Sequence, residues 1–115
     1  MTILVATLGK EKGTKLHVKK IIELEKWEKV IIISENKERL ETPKIDYLDV
    51  DMKKRLPELS KEIKEELKNK LSGIEIALNI ISGSGKLHLA VLSAILKLGY
   101  GIRFVALTED GVKEI

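Results

Sequence analysis

The chain has 115 residues, enough for one domain, residues 1–115, with a real hydrophobic core. It is 43% hydrophobic and 34% charged, and its net charge of +3 is too small and scattered for a dedicated duplex-DNA binder. Aromatic residues at 3% argue against base-stacking platforms, and the lack of cysteine excludes disulfides and thiolate metal sites, as in a cytoplasmic protein.

Thr2 to Leu8 is too short, and lacks the basic start, for a signal peptide. No apolar run reaches the ~20 residues needed to span a bilayer. The Lys/Glu/Ile-rich usage resembles that of thermophile proteins.

Thr2 to Leu8 reads as a fully buried first strand, stopped by Gly9. Thr14 is expected to cap a helix running to about Glu28, with Val18, Ile21, Ile22 and Leu24 inward and His17 on the surface. Val30 to Ile33 is a second buried strand, completing a parallel crossover unit. A polar stretch from Ser34 to Lys44 leads to a short edge strand at Tyr47 to Val50. Leu56, Leu59, Ile63, Leu67 and Leu71 repeat at helical steps, with Pro57 in the first turn and charged Lys61, Glu62, Lys64, Glu65 and Lys68 outward.

Gly73 ends that helix, and Ile74 to Ile81 reads as a central strand. A helix from Lys86 to Leu98 follows, ended by Gly99. Its first stripe, Leu87, Ala90, Val91, Ala94, Ile95 and Leu98, suits a sheet. A second stripe, Leu89, Leu92 and Leu96, needs another cover, and a homodimer packed through this helix supplies one. Ile102 to Leu107 is a strand, Glu109-Asp110-Gly111 a tight turn, and Val112 to Ile115 a short returning strand. No internal repeat or low-complexity segment interrupts this order. The pattern predicts a three-layer α/β domain whose mostly parallel sheet ends in an antiparallel C-terminal hairpin.

The chemistry-bearing segment is Asn79-Ile80-Ile81-Ser82-Gly83-Ser84-Gly85-Lys86. It places a glycine-bearing loop and a lysine where a strand opens into a helix. Glycines allow close approach, free N–H groups favour an anion, and Lys86 adds a full charge against the helix dipole. The loop is not a P-loop, because Ile80 and Leu87 occupy the positions that need glycine and a Mg²⁺-binding hydroxyl. Gly9 and Gly13 follow the first strand without a dinucleotide fingerprint.

Val5-Ala6-Thr7-Leu8-Gly9 and the Asn79 to Lys86 segment together resemble the CRISPR-associated Rossmann-fold (CARF) domain, as do the element order and the closing hairpin. The resemblance implies a Rossmann-like dimer that senses cyclic oligoadenylate, tetra- or hexa-adenylate, in type III CRISPR antiviral defence. The ring would lie across the two-fold axis. Thr7, Gly9, Ser82, Gly83, Ser84, Gly85 and Lys86 would then line the ligand pocket. Gly83-Ser84-Gly85 departs from the Gly-Gly-Thr or Gly-Gly-Met common in that family. Family members often carry an effector domain as well, so the chain is either a stand-alone member or a fragment.

Some family members also cleave the ring without metal or cofactor. There the 2′-OH attacks the adjacent phosphorus. Lys86 and Ser84 would be the catalytic pair, with the Ser84 and Gly85 amides stabilising charge and Thr7 or Ser84 orienting phosphate. A different reading is a dimerising regulatory module without nucleotide ligand, in which the serines cap and the glycines turn. His17 and His88 sit on different helices, so zinc is not expected. Asp46, Asp49 and Asp51 read as loop residues, Lys53-Lys54-Arg55 as a solvated helix start, and Trp27 as core or helix packing.

Overall fold

The computed structural model describes residues 2–115, and these alternate strands with helices. In chain order they are β1 (Ile3–Leu8), α1 (Lys12–Leu24), β2 (Lys29–Glu35), β3 (Asp46–Val50), α2 (Leu56–Lys68), β4 (Glu75–Asn79), α3 (Gly85–Lys97), β5 (Gly101–Thr108) and β6 (Gly111–Glu114). The sheet order is β3-β2-β1-β4-β5-β6. All neighbours are parallel except β5 and β6, which form the antiparallel hairpin. This is a three-layer α/β arrangement of Rossmann-like type.

The unbroken apolar runs of β1 and β2 follow from having helices on both faces. Ile3, Val5, Ile31, Ile33, Ile76 and Leu78 meet α2 and α3 on one side. Leu4, Ala6, Leu8 and Ile32 meet Val18 and Ile21 of α1 on the other. Each fully buried Ile or Leu contributes about 1.5–3 kcal/mol over an exposed one. Helix α1 covers its face alone, and Trp27, Leu40 and Tyr47 pack there as partly buried supplements. Among the described residues no helix is long and apolar enough to cross a membrane.

Several local expectations change. Helix α1 starts earlier than Thr14 suggests, because the Glu11 carboxylate accepts from the Thr14 amide at 3.1 Å and acts as the cap. The Thr14 hydroxyl is engaged elsewhere, its one hydrogen shared between Glu11 O and Ser82 Oγ. The helix stops at Leu24, and the chain folds back so that Trp27 Nε1 donates to Ile21 O at 3.0 Å. Leu24 is therefore exposed. Strand β4 is shorter than Ile74 to Ile81 because Asn79 ends it. The Asn79 side chain accepts from Ile81 N and donates to Val105 O, replacing the ladder with a turn. Ile74 and Ile81 are accordingly exposed.

Helix α3 begins at Gly85, one residue before Lys86, with Ser84 as its cap. Leu87, Ala90, Val91, Ala94 and Ile95 are fully buried against the sheet and α2. Along the second stripe Leu89 is 53% and Leu96 58% exposed, while Leu92 is half-buried. The closing turn needs Gly111, whose φ is +100°.

Candidate functional site

Strand order reverses between β1 and β4, so the loops that follow them leave toward opposite faces of the sheet. Open α/β sheets bind ligands at this position, outside the carboxyl ends of the strands. Here the two loops touch. A Cβ on Gly9 would lie 2.7 Å from the Gly83 Cα, closer than real contacts allow. Gly83 itself adopts φ +94°, a conformation that glycine reaches without strain.

Ser82 fastens the two loops together and is fully buried. Its hydroxyl accepts from the Gly9 amide at 2.9 Å and from Thr14 Oγ1 at 3.0 Å. Its carbonyl accepts from Thr7 Oγ1 at 2.6 Å. His88 Nε2 lies 2.8 Å from the same carbonyl and therefore carries the hydrogen. Among the described residues no buried side-chain polar atom lacks a partner. Thr7, Gly9 and Ser82 thus form an inward joint, and Gly83, Ser84, Gly85 and Lys86 form the rim above it.

The rim is already engaged from within. Ser84 Oγ accepts from Leu87 N at 3.2 Å as the helix cap. The Ser84 amide donates to Glu35 Oε1, so the last residue of β2 lays a carboxylate on the N-terminus of α3. A Cβ on Gly83 would meet that same oxygen at 2.8 Å. Lys86 Nζ donates to Met52 O at 2.8 Å and to Lys54 O at 2.6 Å, clasping the turn between β3 and α2. Nothing lies within 4 Å of a Cβ built on Gly85, so that side of the turn is open. An open groove of about 470 Å³ runs between the loops after β2 and β3, lined in part by Asn36, Lys37, Asp51 and Met52, the last of which is held through its carbonyl by Lys86.

Glu35 escaped the sequence reading, since it lies 49 residues before Ser84. The one local hint was its place at the carboxyl end of a buried strand. His17 was expected at the surface but turns inward. Its Nε2 accepts from Leu107 N at 3.2 Å, which places its hydrogen on Nδ1. Burial pushes its pKa below the ordinary 6.5. His17 and Asn79 hold the part of β5 that extends past the end of β4.

Asp46 and Asp49 sit in β3, and each has a cation: Lys70 Nζ at 3.0 Å and Arg39 at 2.8 Å. Arg39 holds the Asp49 carboxyl below the usual carboxylate range. Asp51 accepts from Lys53 N and closes its own turn. Among the described residues no three acidic or histidine side chains gather as metal ligands do. The Lys53-Lys54-Arg55 run lies just before α2, with Lys54 paired to Glu62 and its carbonyl bound to Lys86.

No family model matches the chain, and no curated protein matches it significantly. Solved structures do match in fold. One is Enterococcus italicus Csm6 bound to cyclic hexa-2′-fluoro-hexa-dAMP, with a TM-score of 0.60 and 13% identity over 94% of this chain. The match covers 33% of that protein, so this chain spans about a third of its length. At that identity the likeness is one of fold.

Proposed function

We propose that this chain is a CARF-like sensor that binds cyclic oligoadenylate at the carboxyl ends of β1 and β4. The observation that carries the reading is the glycine contact at the switch point, Gly9 against Gly83, capped by an open turn with Lys86 beside it. The fold shared with a Csm6 bound to a cyclic hexanucleotide analogue supports the ligand class. Gly83, Gly85 and the Ser84 amide would meet the ring's phosphodiesters, with Lys86 as the counter-charge. Thr7, Gly9 and Ser82 would support them from beneath. The exposed Leu89 and Leu96, with Leu92 between them, suit a second copy, which would bring two such turns to one ring. Leu92→Glu should then give a monomer by light scattering, and an unchanged dimer would exclude this interface.

A second reading, a regulatory module without nucleotide, is favoured by one contact. Lys86 already satisfies two backbone carbonyls, so its place at the helix start is explained without a ligand. Thermal unfolding with cyclic tetra- and hexa-adenylate, against ATP and linear oligoadenylate, separates the two. A ring at ~100 times its dissociation constant stabilises by roughly 2.7 kcal/mol. Lys86→Ala should abolish most of that shift while keeping the fold. No shift with either ring removes the sensor reading. Chromatography of the incubated ring adds the remaining distinction, since an intact ring means sensing alone and a linear product means cleavage as well.

A further inference from the structure

The N-terminus of α3 is held by a carboxylate from a distant strand, and that contact has a consequence for any anionic ligand. Glu35 Oε1 accepts from the Ser84 amide and lies where a side chain on Gly83 would project. Among the described residues Glu35 is in no ion pair, whereas the neighbouring Glu38 is paired to Lys15 at 2.9 Å. Its charge is met by the helix N-terminus and solvent. A phosphate arriving at the Ser84 amide would face a like charge within contact distance. It can bind there only by turning the Glu35 side chain away. The backbone at that point is fixed, because Glu35 pairs with Val50 in the sheet.

We infer that Glu35 is an internal ligand of the α3 turn that an incoming phosphodiester must displace, and that it thereby sets the affinity of the site. The inference rests on the phosphate site proposed above. Binding becomes an exchange of one anion for another. A single phosphate gains little from the exchange. A ligand with several phosphodiesters offsets the same cost through its further contacts, so Glu35 lowers the affinity of every phosphate that reaches this amide by a similar factor. Asn36 and Lys37 follow in left-handed conformations, φ +52° and +56°, and line the groove between the loops after β2 and β3.

The test is calorimetric titration of wild type, Glu35→Gln and Glu38→Gln with two probes, inorganic phosphate and cyclic hexa-adenylate. Glutamine keeps the shape of Glu35 and removes its charge. Glu35→Gln should bind both probes about tenfold more tightly, the difference between a charge-assisted and a neutral competing hydrogen bond. Glu38→Gln should match wild type. Glu35→Ala is the second variant and should move the same way, with thermal unfolding confirming that each protein folds. Unchanged or weaker binding in both Glu35 variants overturns the inference even where the ring binds wild type. An equal gain in Glu38→Gln also overturns it, because overall charge would then be the cause. Tighter phosphate binding by Glu35→Gln with no ring binding by any protein upholds Glu35 and removes the cyclic-ligand reading. Binding of neither probe by any variant overturns both.

Discussion

Helices α1 and α3 both begin just after a strand of the switch point, and both carry a carboxylate on their first turn. In α1 the carboxylate is local: Glu11 folds back onto Thr14 N, three residues ahead. In α3 it comes from 49 residues away, from Glu35 at the end of β2. Each is pressed against a glycine, since a Cβ on Gly13 or on Gly83 would meet its carboxylate oxygen at 2.8 Å. A local cap is part of the helix and has nowhere else to go. A carboxylate delivered by a separate strand can leave without unwinding anything. Equal local chemistry thus gives a structural cap at one helix and an exchangeable contact at the other.

The largest expected effect breaks the joint that places the α3 turn. Gly9→Ala would put a methyl against the Gly83 backbone, which cannot yield as a flexible side chain can. It should cost about 3 kcal/mol in urea unfolding, at the upper end of overpacking penalties. Ser82→Ala comes next. It removes the acceptor of the buried Gly9 amide and the partner of Thr14, for a loss of about 2 kcal/mol. Both should weaken ring binding through the same displacement of the turn.

Glu11→Ala sharpens the contrast between the caps. It should lower stability by about 0.5 kcal/mol and leave ring affinity unchanged. Glu35→Gln should do the reverse, with little change in stability and tighter binding.

The smallest effect is a pH dependence at His17. Its folded pKa lies below 6.5 because burial disfavours the charged imidazolium, so the unfolded chain takes up this proton first. Its contribution is whole above about pH 6.5 and is lost as the pH falls below it toward the lower folded value. Melting temperature should therefore fall as the pH drops below about 6.5, and His17→Gln should flatten that part of the profile.

The comparison of the helices also marks what a sequence discloses. The runs at β1 and β2 and the Leu59, Ile63, Leu67 and Leu87, Val91, Ile95 spacings were legible because burial periodicity is local. So was the second stripe on α3, whose Leu89 and Leu96 are left exposed. The cap of α1 was misplaced because Thr14 is the better capping residue by type. Its hydroxyl is drawn to Ser82, 68 residues away, and Glu11 takes the cap. His17 lies inward because Leu107, 90 residues later, needs an acceptor once β4 has ended. In the site, the glycines and Lys86 were legible as a turn. The burial of Thr7 and Ser82, the carbonyls that hold Lys86, and Glu35 were not. Each depends on a partner that only the folded sheet brings near.

The most direct measurement is amide hydrogen exchange of the protein with and without saturating cyclic hexa-adenylate. Slowed exchange at Gly9 to Glu11 and at Gly83 to Leu87, with the amino ends of the strands unchanged, is the expected footprint. Protection confined to any other surface, with these two loops exchanging as before, would contradict a ligand site at the switch point.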